Sequence, residues 1–171
     1  MNRTVTLTDV DGNALDEADI LEAHTAPGLL HRAFSVYLFR KNRSEILIQQ
    51  RCAKKMLWPG FWANTCCSHP FPKEEPVAAG QRRLNEELGC TCDLQEEGTY
   101  VYQALDPGGW GAEHEFVTML TADDPLVSPV ANPDEVSDWK WIRVDELLKD
   151  FSAHPERYTP WFPLGLERLL S

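Results

Sequence analysis

The stretch AFSVYLFR-KNRS-EILIQQ, residues 33–50, decides how this chain folds. Residues 33–40 and 45–50 are rich in aliphatic and aromatic side chains, and such runs favour β-strands. The four residues between them, 41–44, are polar and typical of a turn. The sequence therefore predicts a β-hairpin at this point of the chain.

Outward from the hairpin, three further segments have the composition of strands. They are residues 98–104 (GTYVYQA), 113–121 (EHEFVTMLT) and 138–143 (DWKWIR). Each is a short run containing aromatic or β-branched residues, which is the usual pattern of a strand. The order of strands along the chain does not repeat a regular βαβ unit, so a mixed sheet is expected.

Helices are expected between and after these strands. Residues 74–88 are predicted to form the main one, because Pro76 suits a first turn and Gly89 suits a helix end. A second helix is predicted from Val144 to Lys149, and a turn after Thr159 is expected to lead into a short terminal helix. The predicted fold class is α/β, an α+β sandwich with a mixed sheet flanked by helices, in a single domain of residues 1–171.

Composition restricts the classes of partner. The net charge of −11 and a pI near 4.8 argue against nucleic acid and against an anionic membrane. The sequence has no apolar run long enough to span a bilayer, and its first residues lack the apolar block of a secretory signal. Five cysteines, an odd number, favour free thiols over a disulfide framework. We therefore expect a cytoplasmic protein that acts on a small molecule.

Two compact basic groups stand out in this acidic chain. One contains Arg51, Lys54 and Lys55, and the other contains Arg82 and Arg83. An anionic substrate would need such local cations, or metal ions, to overcome the overall negative field. Taken alone, each group is more simply explained as a solvated surface.

The segment Trp62-Ala63-Asn64-Thr65-Cys66-Cys67-Ser68-His69-Pro70 carries a thiol and an imidazole two residues apart. In an extended backbone, residues i and i+2 point to one face. Cys67 and His69 are therefore expected to face one cleft, while Cys66 and Ser68 turn away. By the same argument Glu113 and Glu115 share one face, and His114 points to the other.

Two carboxylates on one buried face need a cation or a shared proton. A divalent metal ion would supply the positive charge, and His24, His31 and His69 could complete its ligands. This set of nitrogen and oxygen donors suits zinc, manganese or a similar ion. The alternative is that the histidines are unrelated core or surface residues, because sequence spacing cannot tie together ligands spread over so long a stretch.

The predicted main helix carries a second motif. The run Ser68-x5-Glu74-x7-Arg82-Arg83-Leu84-Asn85-Glu86-Glu87-Leu88-Gly89-Cys90 resembles the Nudix box, Gly-x5-Glu-x7-Arg-Glu-U-x-Glu-Glu-x-Gly-U, in which U is aliphatic. In the Nudix hydrolases this motif places carboxylates where magnesium and a diphosphate meet.

Two positions depart from the Nudix box. Ser68 replaces the first Gly, and Arg83 replaces a carboxylate that binds magnesium in the hydrolases. Such a site is suited to holding a diphosphate without cleaving it. The alternative is an ordinary amphipathic helix with the ion pairs Arg82–Glu86 and Arg83–Glu87.

Together these segments resemble the type 1 isopentenyl-diphosphate isomerases, a family with an altered Nudix box on a Nudix fold. The resemblance extends from about Ala23 to Phe162. It rests on four blocks in the right order, which are GLLHRAFS (28–35), NTCCSHP (64–70), WGAEHE (110–115) and TPWF (159–162). It implies that the mixed sheet is Nudix-like.

The resemblance also implies roles for individual residues. Cys67 and Glu115 would be the catalytic acid/base pair, assisted by Tyr102. The core metal would be held by His24, His31, His69, Glu113 and Glu115. A magnesium ion arriving with the diphosphate would be held by Glu87 and the carbonyl oxygen of Cys67. The phosphates would be bound by Arg51, Lys55 and Arg83, and the hydrocarbon by Trp161.

The reaction implied is the interconversion of isopentenyl diphosphate and dimethylallyl diphosphate through a tertiary carbocation. The indole of Trp161 would face that cation, and the cation–π interaction would contribute about 2 kcal/mol when desolvated. The implied cofactors are Mg²⁺ with the diphosphate and one further divalent ion, Mn²⁺ or Zn²⁺. Without the resemblance, Trp161 and Tyr102 would simply be core aromatics.

The chain departs from this family at two places. Many bacterial members have a lysine where this chain has Ile20, and the loop from Asp106 to Glu113 is one residue longer here.

The runner-up function is a Nudix-type diphosphate hydrolase, and a third is a metal-stabilised binding module without catalysis. A prenyl diphosphate is expected as the small-molecule partner, and the chain as a monomer or weak dimer.

Overall fold

The computed structural model describes residues 3–171. The predicted domain of residues 1–171 includes two residues, 1–2, that lie outside this range. The strands are β1 (Thr4–Thr8), β2 (Ala14–Asp19), β3 (His31–Arg40), β4 (Glu45–Arg51), β5 (Trp62–Ala63), β6 (Cys66–Ser68), β7 (Gln95–Leu105), β8 (Ala112–Asp123) and β9 (Val136–Arg143). The helices are α1 (Ile20–Ala23), α2 (Pro76–Leu88), α3 (Val144–Ala153) and α4 (Trp161–Leu169). Over the described range, every helix is too short or too polar to cross a bilayer.

The predicted hairpin is confirmed as β3 and β4, and its two strands diverge after the turn. They pair only at Phe39–Ile46 and Arg40–Glu45. The turn is built from three residues with positive φ, 41–43. Beyond it, β6 pairs with β3 and β5 pairs with β4, so residues 62–68 fill the gap between the hairpin strands.

Buried polar side chains hold residues 62–68 in that gap. Thr65 Oγ1 donates a hydrogen bond to the carbonyl oxygen of Leu47 at 2.6 Å and accepts one from the N–H of Leu38 at 2.9 Å. Asn64 Nδ2 donates to the carbonyl oxygen of Val36 at 3.1 Å. These contacts replace the ladder hydrogen bonds that the diverging strands cannot make to each other.

Strand β3 is buried on both faces, as expected for a central strand of a mixed sheet. Phe34, Val36 and Leu38 belong to one hydrophobic core, whereas Tyr37 and Phe39 belong to the other. β3 runs parallel to β8, in a register that aligns His31 with Glu115. The sheet therefore separates two cores, and each is closed by helices.

Helix α2 closes one core with Leu84 and Leu88, while α3 and α4 close the other with Leu147 and Phe162. α2 starts at Pro76, and Gly89 ends it in the left-handed conformation, with a φ of 60°. The predicted mixed sheet flanked by helices is thus present, and the terminal helix expected after Thr159 begins at residue 161.

The elements β1, β2 and α1, and the two-residue strand β5, were not predicted from the sequence. β2 (ALDEAD) is polar and largely exposed, so it lacks the alternation that marks a strand. α1 spans four residues, which is too short to show helical periodicity. The predicted strands are longer in the structure than in the prediction. This is clearest for β7, because its first residues are exposed and show no apolar pattern.

Close packing of α4 on the sheet yields a stability prediction. A Cβ atom added at Gly165 would lie 1.9 Å from Tyr37 Oη, and this phenol is fully buried. We expect Gly165→Ala to lower the free energy of unfolding by about 1–3 kcal/mol through overpacking. Leu164→Ala, at a more exposed position of the same helix, is the control and should cost less. Thermal unfolding measures both, and equal stability of Gly165→Ala and the wild type would contradict this packing.

Candidate active site

A pocket of about 340 Å³ opens on the side of the sheet covered by α4. This volume lies within the range of small-molecule sites. Its walls come from the residue before β1, from α1, β4 and the loop after it, and from β6, α2, β7, β8 and α4. Ten of the predicted site residues line it, and they are His24, Arg51, Lys55, Cys67, His69, Arg83, Tyr102, Glu113, Glu115 and Trp161. The other two, His31 and Glu87, are buried behind the wall.

Five of the predicted metal ligands form one buried cluster. The ligand atoms of His24, His31, His69, Glu113 and Glu115 all lie within 4.8 Å of one another. The centroids of the three imidazole rings are separated by 4.8–5.1 Å. The structure therefore brings these five residues together, although only Glu113 and Glu115 share an element, β8.

Backbone carbonyls orient two of these imidazoles. Nδ1 of His24 lies 2.7 Å from the carbonyl oxygen of Ile20, and Nδ1 of His31 lies 2.7 Å from that of Leu29. Because a carbonyl oxygen only accepts, Nδ1 must carry a hydrogen in each ring, and Nε2, which faces the cluster, is the nitrogen that can bind a metal ion once it carries no proton. This arrangement is typical of histidines that ligate a metal ion.

The two glutamates point into the same cluster, as their spacing predicts. Glu113 Oε2 lies 3.0 Å from Nε2 of His24, and Glu115 Oε1 lies 2.8 Å from Nε2 of His69. The second oxygen of Glu115 accepts a hydrogen bond of 2.7 Å from the hydroxyl of Tyr102. His114 faces the other way, toward the carbonyl oxygen of Gly28.

Burial leaves the cluster short of positive charge. Burial raises the pKa of both glutamates, and their mutual proximity adds to this effect at Glu113. Burial also lowers the pKa of His69, and it lowers that of His31 to about 3. At His24 burial again acts to lower the pKa, but the Glu113 carboxylate outweighs it and raises the pKa to about 9.

The residues present fit a divalent cation. Nε2 of His31 is buried and makes no hydrogen bond to any residue in the 3–171 range, and Oε2 of Glu113 is buried with the ion pair to His24 as its polar contact there. Both are inward-facing electron-pair donors, which an ion at the centre of the cluster would satisfy. Such an ion would also compensate the two buried carboxylates.

The adjacent cysteines have different surroundings. Cys66 is fully buried in the core under α2, whereas Cys67 faces the pocket, with its sulfur 3.9 Å from a guanidinium nitrogen of Arg51. Burial raises the pKa of Cys67 to about 12, although the Arg51 charge opposes this. The Cys67 thiol is therefore protonated at neutral pH and can act as a proton donor.

The predicted alternation along this strand is only partly correct. Cys66 turns away from the pocket as expected, but Ser68 borders the pocket together with Cys67 and His69. The strand β6 ends at Ser68, so the two-residue alternation does not continue through it. The hydroxyl of Ser68 accepts a hydrogen bond of 2.7 Å from the guanidinium of Arg3, a residue that the sequence analysis did not assign to the site.

The first basic group divides between pocket and surface. The Arg51 guanidinium donates to the carbonyl oxygens of Leu57 at 2.8 Å and Trp58 at 3.1 Å, and lies 5.5 Å from the Trp161 ring centroid. Lys55 lines the pocket and pairs with Glu135. Lys54 is exposed, pairs with Asp134 and does not line the pocket.

The second basic group divides in the same way. Arg83 lines the pocket and forms an ion pair of 2.5 Å with the buried Glu87. Glu87 also accepts a hydrogen bond of 2.9 Å from Gln49. Arg82 lies outside the pocket, 2.8 Å from Glu74 and 3.5 Å from Glu86. The two ion pairs expected of an ordinary amphipathic helix, Arg82–Glu86 and Arg83–Glu87, are therefore both present. Arg83 nevertheless also lines the pocket.

Aromatic rings form the remaining wall. The centroid of the Trp161 ring is 5.9 Å from that of Tyr102 and 5.2 Å from that of Trp58. The indole N–H of Trp161 donates to Asn64 Oδ1 at 3.2 Å. The hydrogen bond and the packed rings fix the indole in one orientation.

Some residues of the pocket were missed by the sequence analysis. Arg3, Leu21, Met56 and Leu57 all line it. Leu21 and Met56 are largely exposed apolar residues with no periodic neighbours, and Arg3 precedes a strand that was not predicted. None of the four carries a motif that could have assigned it to the pocket.

Comparison with known proteins gives a consistent result. The NUDIX domain family model matches residues 29–162. The chain is 43% identical over 165 residues to an isopentenyl-diphosphate Delta-isomerase of Nocardia farcinica, covering 95% of this chain and 92% of that protein. It is 41% identical over 177 aligned positions to the isopentenyl-diphosphate Delta-isomerase of Aliivibrio fischeri strain MJ11, covering 100% of this chain and 97% of that protein.

Solved structures share the fold at low sequence identity. The structure is similar to DR0079 from Deinococcus radiodurans, with a TM-score of 0.69, 17% identity, and 89% and 90% of the two chains covered. It is also similar to the MutT protein of Methanosarcina mazei Go1, with a TM-score of 0.66, 14% identity, and 81% and 91% covered. The predicted Nudix-like fold is thereby confirmed.

The metal cluster yields a prediction about stability. A cation that neutralises Glu113 and Glu115 binds only the folded chain, so we expect the metal-loaded protein to unfold roughly 10 °C above the chelated one. Differential scanning calorimetry with elemental analysis measures this difference. In the control Glu113→Gln, chelation should shift the unfolding temperature far less. If chelation leaves the unfolding temperature of the wild-type protein unchanged, this result would contradict a cation at this cluster.

Proposed function

The chain belongs to the NUDIX family and, within it, to the isopentenyl-diphosphate Delta-isomerases, and we propose that it interconverts isopentenyl diphosphate and dimethylallyl diphosphate. One observation carries this proposal beyond the family relationship. A protonated thiol, Cys67, and a carboxylate, Glu115, line the same aromatic-walled pocket. Moving a carbon–carbon double bond by one position needs one proton donor and one proton acceptor, and both are present.

The reaction begins at an alkene, which is a weak base. Protonation of its terminal methylene gives a tertiary carbocation, and loss of a proton from the carbon on the other side of that centre gives the isomer. We assign Cys67 and Glu115 to these two transfers. The raised pKa of Cys67 keeps its proton available, and the Tyr102 hydroxyl holds Glu115 through a hydrogen bond of 2.7 Å.

The aromatic wall suits the proposed intermediate. A carbocation in water would be trapped as an alcohol, so the pocket must exclude water around the hydrocarbon. Trp161 is 2% exposed and is fixed by its hydrogen bond to Asn64. Its ring can face the positive charge, and Tyr102 lies beside it at a centroid distance of 5.9 Å.

The proposed metal ions have separate places. The five-residue cluster would hold one divalent ion, Mn²⁺ or Zn²⁺, because its donors are imidazole nitrogens and carboxylate oxygens. Mg²⁺ would accompany the diphosphate to Glu87 and the carbonyl oxygen of Cys67. When bound, a divalent ion supplies positive charge that lowers the proton affinity of nearby carboxylates.

The diphosphate itself would be bound by Arg51, Lys55 and Arg83. All three line the pocket, and the acidic chain needs a local positive field to admit an anion. Arg83 also argues against the runner-up, a Nudix-type diphosphate hydrolase. Its guanidinium occupies the helix position of a magnesium-binding carboxylate and neutralises Glu87 at 2.5 Å. The cytoplasmic location and a monomeric or weakly dimeric state remain predictions from the sequence.

Incubation with isopentenyl diphosphate in heavy water tests the proposed reaction. We expect deuterium in both isomers, detected by mass spectrometry, and no release of phosphate. Phosphate or monophosphate release without deuterium exchange would instead establish a hydrolase. Stoichiometric metal with neither reaction would point to a binding module and overturn the proposal.

The adjacent cysteines supply a prediction with an internal control. Cys67→Ser replaces the thiol by a far less acidic hydroxyl, so we expect kcat to fall by roughly 100-fold or more while diphosphate binding persists. Cys66→Ser should keep kcat near the wild-type value, because residue 66 faces the core. It should instead lower stability by about 1–3 kcal/mol, since its hydroxyl is buried. A loss of kcat in Cys66→Ser together with a wild-type kcat in Cys67→Ser would overturn the role of Cys67.

The adjacent lysines supply a second matched pair. Lys55→Ala removes a cation that lines the pocket, and Lys54→Ala removes an exposed one with the same effect on net charge. We expect Lys55→Ala and Arg51→Ala each to raise KM roughly tenfold or more. Lys54→Ala should leave KM unchanged. Steady-state kinetics decides, and unchanged KM values in both pocket variants would remove these residues from the diphosphate site.

A further inference from the structure

One wall of the pocket carries a cation that no motif marks. Arg3 immediately precedes β1, and its backbone oxygen accepts a hydrogen bond of 2.8 Å from the N–H of Ile20 at the start of α1. The side chains of Arg3, Ile20 and Leu21 all line the pocket. Since Ile20 and Leu21 are apolar, Arg3 is the cation that this part of the wall presents.

The guanidinium of Arg3 is held at its place but is not neutralised. It donates hydrogen bonds to Ser68 Oγ at 2.7 Å and to the carbonyl oxygen of His69 at 3.3 Å, and lies 5.9 Å from the Phe71 ring centroid. Within residues 3–171 no carboxylate forms an ion pair with it, and the acidic residues Glu86 and Glu135 act on it only from a longer distance. A guanidinium has five N–H donors, so some remain for a further acceptor.

Two of the other cations of the pocket differ from Arg3 in this respect. Lys55 and Arg83 are both paired with Glu87 and Glu135. Arg51 is bound to carbonyl oxygens and, like Arg3, has no carboxylate partner in the described part of the chain. Arg3 and Arg51 are therefore the two cations of the pocket without a carboxylate partner in residues 3–171, and they come from different elements, the residue before β1 and the end of β4.

The electrostatic surroundings of Arg3 agree with a surplus of positive charge. Burial lowers the pKa of Arg3, and the charges of Arg83 and of Arg82, which lies outside the pocket, lower it further, whereas the charges of Glu86 and Glu135 act in the opposite direction. Charges of one sign that face a common cavity repel each other until an anion enters. An anion with several oxygens would relieve this repulsion and would occupy the free N–H donors.

We propose that Arg3 binds the diphosphate of the substrate, supplying from the start of β1 the cation that Ile20 does not supply. The inference rests on the proposed function, because it takes the anion to be the diphosphate of a prenyl substrate. The planar fork of a guanidinium matches two phosphate oxygens at once. The Ser68 hydroxyl, already bound to Arg3, borders the same part of the pocket.

The test compares Arg3→Gln with Arg3→Lys and with the double variant Arg3→Gln/Ile20→Lys. We expect Arg3→Gln to raise KM for isopentenyl diphosphate roughly tenfold while kcat changes little. Arg3→Lys should lose less. The double variant should recover most of the affinity, because residue 20 lines the same wall and is hydrogen-bonded to residue 3. Arg143→Gln, at an exposed position paired with Asp145, controls for the change in net charge.

A purely structural role for Arg3 predicts another pattern. If Arg3 only tied β1 to the segment after β6, Arg3→Gln would lower the unfolding temperature and kcat, and a lysine at position 20 would not restore KM. That outcome, or an unchanged KM in Arg3→Gln, would overturn the proposal. Calorimetry of each variant accompanies the kinetics.

If Arg3→Gln does not fold, chemical modification of the wild-type chain tests the same proposal. Phenylglyoxal modifies accessible guanidiniums, and mass spectrometry locates the modified residues. We expect inorganic diphosphate with Mg²⁺ to protect Arg3 and to leave Arg143 reactive, and equal reactivity of Arg3 with and without diphosphate would contradict the proposal. This probe needs no turnover. If diphosphate protects Arg3 but the chain does not isomerise isopentenyl diphosphate, the proposed function fails while the binding role of Arg3 stands.

Discussion

The site depends on the burial of two carboxylates on one face of β8. Glu113 and Glu115 are 6% and 8% exposed, and desolvation on this scale is costly without a compensating charge. The three histidines around them do not supply enough charge, because burial lowers the pKa of His31 and His69. A divalent cation resolves this imbalance, and its five donors tie together elements that are far apart in the sequence.

The fold brings these donors together by two backbone contacts. The parallel register of β3 and β8 sets His31 directly beside Glu115. The N–H of Ala112 donates to the carbonyl oxygen of His24 at 2.8 Å, and a Cβ atom added at Gly111 would lie 2.3 Å from that oxygen. Glycine is therefore required at position 111 if the histidine is to approach β8 this closely.

Placement of the thiol follows from the divergence of the hairpin strands. Because β3 and β4 separate after two residue pairs, β6 can enter beside β3 and direct Cys67 into the pocket. The same alternation sends Cys66 into the core under α2. One strand of three residues thus separates a reactive position from a structural one.

Local patterns in the sequence predicted the parts of this site that lie within one element. The two-residue period placed Glu113 beside Glu115 and separated Cys67 from Cys66, because it depends only on an extended backbone. No local pattern could join His24 to β8 or distinguish Lys55 from Lys54, since those differences arise from packing. Arg3 was missed because the strand that follows it, β1, was not predicted.

X-ray absorption spectroscopy of the zinc-loaded protein tests the central claim most directly, namely that these five side chains hold a metal ion. We predict a first shell of nitrogen and oxygen atoms only, at about 2.0–2.2 Å, with the outer-shell scattering of three imidazole rings. That scattering should weaken in His31→Ala, which removes the most deeply buried ring. A sulfur neighbour at about 2.3 Å, or a shell without imidazole scattering, would contradict the claim.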